Sequence, residues 1–141
     1  MATTNATITI SSDIMSYPIS INKQMTMKKL GSSDGLEETS GLRTKKFTAT
    51  TATTVIEEDE FTNTKASKVY MRNTGSSKSD YFYVAKHASA AAATTTETIG
   101  KLYGGDWMLI PWNATAATTH DVCVAPSTAE TMTLEYMAFV E

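Results

Sequence analysis

The sequence predicts an all-β fold, and three observations carry that prediction. The 141 residues include 25 Thr and 17 Ala, and β-branched Thr favours pleated, half-exposed surfaces. Apolar and polar residues alternate over several short segments, which is typical of half-buried strands. Turn residues separate these segments at regular intervals, which indicates a single-domain β-sandwich or jelly-roll-like antiparallel fold of about 8–9 short strands over residues 1–141.

The N-terminal part predicts two extended segments and a loop. Residues 1–12 are expected to form an N-terminal arm or an edge strand, because Ala6, Ile8 and Ile10 alternate with threonines. Residues 19–27 alternate in the same way, with Lys23 as the one exception, and predict one long strand or a pair of strands. Residues 31–46 contain three glycines and little hydrophobic periodicity, so we expect a long, polar, exposed loop there.

The middle of the chain predicts a β-hairpin over residues 68–86. Val69 and Met71 alternate with polar or charged neighbours before a turn rich in Asn, Gly, Ser and Asp. After that turn, Tyr81 and Tyr83 alternate with purely apolar residues. The connection exceeds the two-residue turns that fix register most tightly, so we expect a flexible tip.

The C-terminal part predicts four more strands. Residues 87–98 read as a loop or a brief helical turn, and residues 99–103 as a strand ending at a Gly-Gly-Asp turn. Residues 107–112 are apolar on both faces, as expected of a strand that is covered on both sides. Residues 122–124 predict a short strand, and residues 132–140 predict a longer one in which every second residue, from Met132 to Val140, is apolar or aromatic.

Composition argues against several classes of protein. The net charge of −3 gives no electrostatic attraction towards nucleic acid. The apolar runs fall short of the ~20 residues that a membrane-spanning helix needs, and the chain opens without a signal peptide. Cys123 is the only cysteine, so an intrachain disulfide is excluded.

The residues that usually carry catalysis do not form a recognisable motif. His87, His120 and Cys123 suggest no fourth ligand for a structural zinc ion, and no nucleophile elbow or phosphate-binding loop occurs. We therefore predict no enzymatic activity, no metal site and no cofactor.

Charge is segregated along the chain, which suggests either two solvated loops or a contact between unlike patches. In the second case, oppositely charged surfaces of neighbouring subunits would meet and would set specificity more than affinity. The candidate residues are Lys28, Lys29, Arg43, Lys45 and Lys46 on the basic side, and Glu57, Glu58, Asp59 and Glu60 on the acidic side.

Aromatic residues supply the remaining candidates. The candidates are Tyr81, Tyr83 and Trp112, and the sequence places Trp107 and Tyr103 nearby. One interpretation is that these side chains divide between the core and a partner interface. The other is that they form a platform on which sugars or bases stack. We favour the core-and-interface interpretation.

Three segments together resemble small structural proteins of tailed-bacteriophage virions: VYMRNTGSS…DYFYV, TIGKLYGGDWMLIPWN and MTLEYMAFVE. The resemblance covers residues 68–141 and implies a head decoration (cement) protein that binds the major capsid protein, and copies of itself, on the capsid surface. It would be made in the host cytoplasm, and a homotrimer would suit the role. The alternatives are a tail, adaptor or fibre protein and, from a different class, a glycan-binding β-sandwich module for host attachment. The resemblance implies no role with nucleic acid or membranes.

Overall fold

The computed structural model describes residues 3–13, 18–29, 31, 35–61, 65–87, 90, 93, 98–114 and 120–141, with only the backbone of residues 65 and 66. These residues form eleven strands in antiparallel sheets and a 3-10 helix, Glu58–Glu60, so the all-β prediction is confirmed. No helix among them is long and apolar enough to cross a membrane. The chain divides into two compact units, one of residues 1–37 with Glu141 and one of residues 38–140.

The first unit contains an antiparallel pair of strands, which we call the N-terminal ribbon. Strand β1 (Thr4–Ser12) pairs with β2 (Ile19–Met27) along its whole length. Directly opposed residues lie on the same face of such a pair. One face therefore carries mostly aliphatic side chains, and the other carries Thr, Ser, Asn and Gln.

The second unit is a sandwich-like arrangement of two sheets. The first sheet contains β3 (Glu38–Thr39), β4 (Arg43–Phe47), β6 (Lys65–Asn73), β9 (Trp107–Ala114) and β11 (Met132–Val140). The second contains β5 (Thr53–Ile56), β7 (Tyr81–Lys86), β8 (Thr98–Tyr103) and β10 (Val122–Pro126). The first sheet runs in the order β3-β11-β6-β9, with β4 also on β11, and the second in the order β5-β10-β7-β8.

A hydrophobic core joins residues of both sheets. Val69, Met71 and Leu134 of the first sheet are fully buried, as is Phe82 of the second. Phe47 and Phe82 meet edge to face across the core, with ring centroids 5.2 Å apart. Burying a side chain of this size stabilises the fold by roughly 1.5–3 kcal/mol, as an upper estimate.

The hairpin predicted over residues 68–86 is wrong, although both of its strands exist. Strand β6 pairs with β11 and β9, whereas β7 pairs with β10 and β8 in the other sheet. Two strands that face each other across a core bury alternate residues just as two paired strands do. Alternation therefore located the strands but could not distinguish these two arrangements.

The long exposed loop predicted over residues 31–46 is also partly wrong. Residues 38–39 and 43–47 form β3 and β4, which pair with the C-terminal strand β11. Lys45 lies in a strand and holds its ammonium 5.6 Å from the centroid of the Phe47 ring. Long basic side chains that cover apolar surface with their stems hide the hydrophobic periodicity of such a strand.

The two connections that follow β6 and β8 interlock at one end of the second unit. The Asn73 side chain is buried, and its Nδ2 donates to the Leu102 carbonyl at 3.1 Å while its Oδ1 accepts from Gly75 N at 3.0 Å. Gly104 N donates to the Ser77 carbonyl at 3.0 Å. The Asn-Thr-Gly and Gly-Gly-Asp motifs are therefore structural elements that hold the two sheets together.

Candidate functional site

Four side chains form a cluster on the outer face of the second sheet, which we call the tyrosine–lysine cluster. Tyr81 lies opposite Tyr103, and Tyr83 lies opposite Lys101, in the register of β7 with β8. The Tyr81 and Tyr83 hydroxyls are 3.0 Å apart and their rings meet edge to face at 5.0 Å. The Tyr103 ring is also 5.0 Å from that of Tyr81. Strand pairing thus gathers three aromatic rings on one face.

The lysine of this cluster lies over the aromatic rings. Lys101 Nζ is 4.3 Å from the centroid of the Tyr81 ring and 5.5 Å from that of Tyr83. An ammonium so close to a ring face is attracted by the ring quadrupole. The tyrosine rings and the lysine therefore hold one another in place.

Hydrogen bonding within the cluster shifts the proton affinities of its members. A hydrogen bond with Tyr81, more than any other effect, raises the pKa of Lys101, so the ammonium keeps its charge. The hydrogen bond with Tyr83, followed by that with Lys101, lowers the pKa of Tyr81. The same contact with Tyr81 raises the pKa of Tyr83. The cluster thus presents a positive charge beside two hydroxyls that are linked to each other.

Another part of the same sheet is covered by the segment that follows β7. Ala90 and Ala93 pack against Ala85, Cys123 and Ala125, and Cys123 is fully buried. Its Sγ lies 3.4 Å from the His87 carbonyl. Desolvation by burial raises the pKa of the Cys123 thiol, so it is a poor nucleophile. Within the described ranges, no three His, Cys, Asp or Glu side chains are grouped to hold a metal ion.

One residue of the predicted acidic patch lies inside the second unit, which corrects the expectation that it faces a partner. Glu58 is 4% exposed, and its carboxylate accepts the His120 backbone N–H at 3.0 Å. The Glu58 backbone N–H donates in turn to Asp121 Oδ1 at 3.1 Å. The 3-10 turn directs this side chain inwards, where it holds the segment that enters β10.

Within the second unit, the basic candidates of β4 do not all lie on one face of the strand. Arg43 forms an ion pair with Glu60 at 2.6 Å, so one basic and one acidic candidate already bind each other. Lys46 is exposed and lies on the opposite face of β4 from Arg43 and Lys45, because strand residues alternate. The other exposed candidates are Glu57 and Asp59 in the second unit and Lys28 and Lys29 in the first.

The predicted interface role of Trp112 is also wrong, because this side chain is 4% exposed. Its Nε1 donates to the His120 carbonyl at 2.6 Å, and the Phe61 ring meets it edge on at 5.8 Å. The exposed tryptophan of β9 is Trp107, at 51%. A platform combining Tyr81, Tyr83 and Trp112 is therefore not formed.

The structure also shows a groove that sequence reasoning missed. A cavity of about 400 Å³ is lined by residues of β8, of β9 and of the turn that joins them. Among the described residues, each of these strands is the last of its sheet. The residues that line it are Val84, Ile99, Gly100, Lys101, Leu102, Gly105, Asp106, Trp107 and Met108. Ile99 and Trp107 are both 51% exposed at this groove. Its position depends on the order of strands in both sheets, which periodicity does not reveal.

Comparison with known proteins adds no further constraint. No protein-family model matches the chain, and neither does any curated protein or solved structure. The functional interpretation therefore rests on the tyrosine–lysine cluster, the groove, the N-terminal ribbon and the motifs of residues 68–141.

Proposed function

We propose that this protein is a structural component of a tailed-bacteriophage virion, a decoration protein that binds the outer surface of the major-capsid lattice. The motifs of residues 68–141 support the proposal through their resemblance to virion proteins. Two residues of these motifs, Asn73 and Gly104, stabilise the fold by joining the two sheets. This use of the motifs agrees with a protein that acts by binding.

The observation that carries the proposal is the tyrosine–lysine cluster. Tyrosine is enriched at protein interfaces, and its rigid ring adds contact area at a low cost in conformational entropy. Tyr81, Tyr83, Tyr103 and Lys101 contact one another before any partner arrives. A surface of this kind loses little further freedom on binding, so it suits repeated contact with a rigid lattice.

The stabilising mechanism of such a protein is thermodynamic linkage between its binding and the assembly of the shell. A protein that binds the assembled shell but not its separated subunits stabilises the shell by mass action, by about 2.7 kcal/mol per site at a free concentration of 100 Kd. The shell gains stability without any chemical step. Added protein would therefore raise the temperature at which empty heads break open.

Heating empty heads with and without the protein tests this proposal. The wild type should raise the disruption temperature, and Lys101→Ala should need at least about tenfold more protein for the same effect, since 1.4 kcal/mol of binding corresponds to tenfold. Lys86→Ala is the matched control, because Lys86 is an exposed lysine at the end of β7 and does not belong to the tyrosine–lysine cluster. Heads that break open at one temperature with or without the protein would refute the proposal.

A glycan-binding module for host attachment is the second candidate, favoured by the same three tyrosine rings. Sugars stack on aromatic faces beside polar groups, and the Tyr81 and Tyr83 hydroxyls lie next to Lys101. Burial of Trp112 removes one ring from the predicted platform. Binding to a glycan array that is lost in Tyr103→Ala would favour this candidate. Within the virion, labelling of intact particles separates a head location from a tail, adaptor or fibre location.

A further inference from the structure

The N-terminal ribbon exposes an aliphatic face. Ile10 and Ile21 are directly opposed at 45% and 39% exposure, and Ile8, Ile19 and Met25 are similarly exposed around them. Nine-residue strands about 4.8 Å apart give a face on the order of 30 by 10 Å. The largest contiguous apolar patch of a typical monomer measures about 300–600 Å² and is often functional.

The ribbon also offers free backbone edges. Within the described residues, β1 and β2 pair only with each other, so no third strand extends this sheet on either side. An isolated two-stranded ribbon is marginally stable in water, and further strands or a packed face are needed to hold it. The ribbon therefore needs a surface that supplies both apolar contact and a strand edge.

The groove between β8 and β9 supplies both. In the part of the chain that the structure describes, each of these strands is the last in its sheet, so an added strand could pair with it. Ile99 and Trp107 expose apolar surface beside those edges, and Met108 lines the cavity between them. An added strand could continue either sheet, which is the common mode of β-augmentation.

Charge favours the ribbon as the occupant of this groove. Residues 3–29 carry three lysines and one aspartate, whereas residues 38–140 carry nine basic and eleven acidic residues. Lys23 stands on the aliphatic face opposite Ile8. Asp106 lines the groove, while Lys101 holds its ammonium over the tyrosine rings. The one charge on the aliphatic face thus has an acidic counterpart.

We propose that the N-terminal ribbon of one copy of this chain docks in the β8–β9 groove of a second copy, with its aliphatic face over Ile99 and Trp107 and Lys23 near Asp106. The contact joins two different surfaces, so it is head-to-tail and forms a ring when its rotation closes. It does not depend on the virion role, because it concerns only copies of this chain.

The test measures the mass of the full-length protein in solution by light scattering. The ribbon variant carries Ile10→Ser and Ile21→Ser, and the groove variant carries Ile99→Lys and Trp107→Ser. All four positions are exposed, and circular dichroism checks that both variants keep the wild-type fold. Leu42→Ser is the control, because Leu42 is exposed at 62% and belongs to neither surface.

The wild type and the Leu42→Ser control should form oligomers, whereas each variant alone should have the mass of one chain. An equimolar mixture of the two variants should form dimers and no larger assemblies. The intact ribbon of the groove variant can dock in the intact groove of the ribbon variant, and the two altered surfaces cannot bind a third chain. A groove variant that assembles like the wild type would overturn the proposal in favour of ribbons pairing with each other. A monomeric wild type, or a mixture that stays monomeric, would also overturn it.

Discussion

The α-carbon of Gly104 lies so close to the backbone of Ser77 that a Cβ on Gly104 would approach it within 3.0 Å. Gly104 N also donates to the Ser77 carbonyl at 3.0 Å, and Lys78 Nζ reaches the Gly104 carbonyl at 2.7 Å. The connection after β6 and the turn after β8 therefore pack backbone against backbone. This contact depends on the absence of a side chain.

Gly104→Ala should destabilise the protein by roughly 1–3 kcal/mol, the usual cost of forcing extra volume into a packed site. Gly100→Ala is the matched control, because a Cβ on Gly100 would meet nothing within 4 Å. Denaturant unfolding measures both variants. Equal midpoints for the two would show that the close approach to Ser77 does not exist in solution.

Asn73→Ala should lower the free energy of unfolding by about 1–3 kcal/mol, because it leaves the buried Leu102 carbonyl and the Gly75 N–H without their partner. Asn113→Ala, at an exposed position of β9, should change the free energy of unfolding by less than about 0.5 kcal/mol. If both substitutions were equally mild, Asn73 would not join the two connections.

The two tryptophans should behave oppositely. Trp112→Phe removes the donor to the His120 carbonyl and should cost about 1–2 kcal/mol, whereas Trp107→Phe should cost almost nothing. Each variant retains one tryptophan, so acrylamide quenching reports its exposure directly. Measured in chains that also carry Ile10→Ser and Ile21→Ser, so that no ribbon covers Trp107, fluorescence should be quenched strongly when only Trp107 remains and weakly when only Trp112 remains. The reverse order would show that Trp107 is buried and Trp112 exposed, which contradicts the structure.

The Cys123 thiol should resist alkylation in the folded protein. It is fully buried, and desolvation raises its pKa, so less thiolate is present at a given pH and the reaction should speed up only as the pH rises. Thr44→Cys adds an exposed thiol on β4 as an internal control. Rapid modification of Cys123 without denaturant would contradict this burial.

Several strands could be predicted because one face of each is apolar and the other polar. The segments around Val69, Tyr83 and Leu134 show this contrast and lie in β6, β7 and β11. Residues 107–112 are apolar on both faces, so alternation could not reveal that Trp112 points inwards and Trp107 outwards. Strand pairing could not be predicted either, because the apolar–polar pattern of one strand does not identify the strand beside it.

The candidate site could be predicted only in part. Tyr81 and Tyr83 were identified because they share one face of a predicted strand, but Lys101 and Tyr103 join them through the register of β7 with β8. The sequence predicts one acidic patch over residues 57–60, yet the 3-10 turn directs Glu58 inwards and leaves Glu57 and Asp59 exposed. Charge along a sequence does not show which side chains a turn buries.

Co-sedimentation with purified empty phage heads is the most direct test of the proposed virion role. Protein added in increasing amounts should pellet with the heads until it saturates at a fixed ratio to the major capsid protein, and excess protein should stay in solution. The tyrosine–lysine cluster should be needed, so Lys101→Ala should saturate only at a higher concentration. Protein that remains entirely in the supernatant at every concentration would contradict the capsid role.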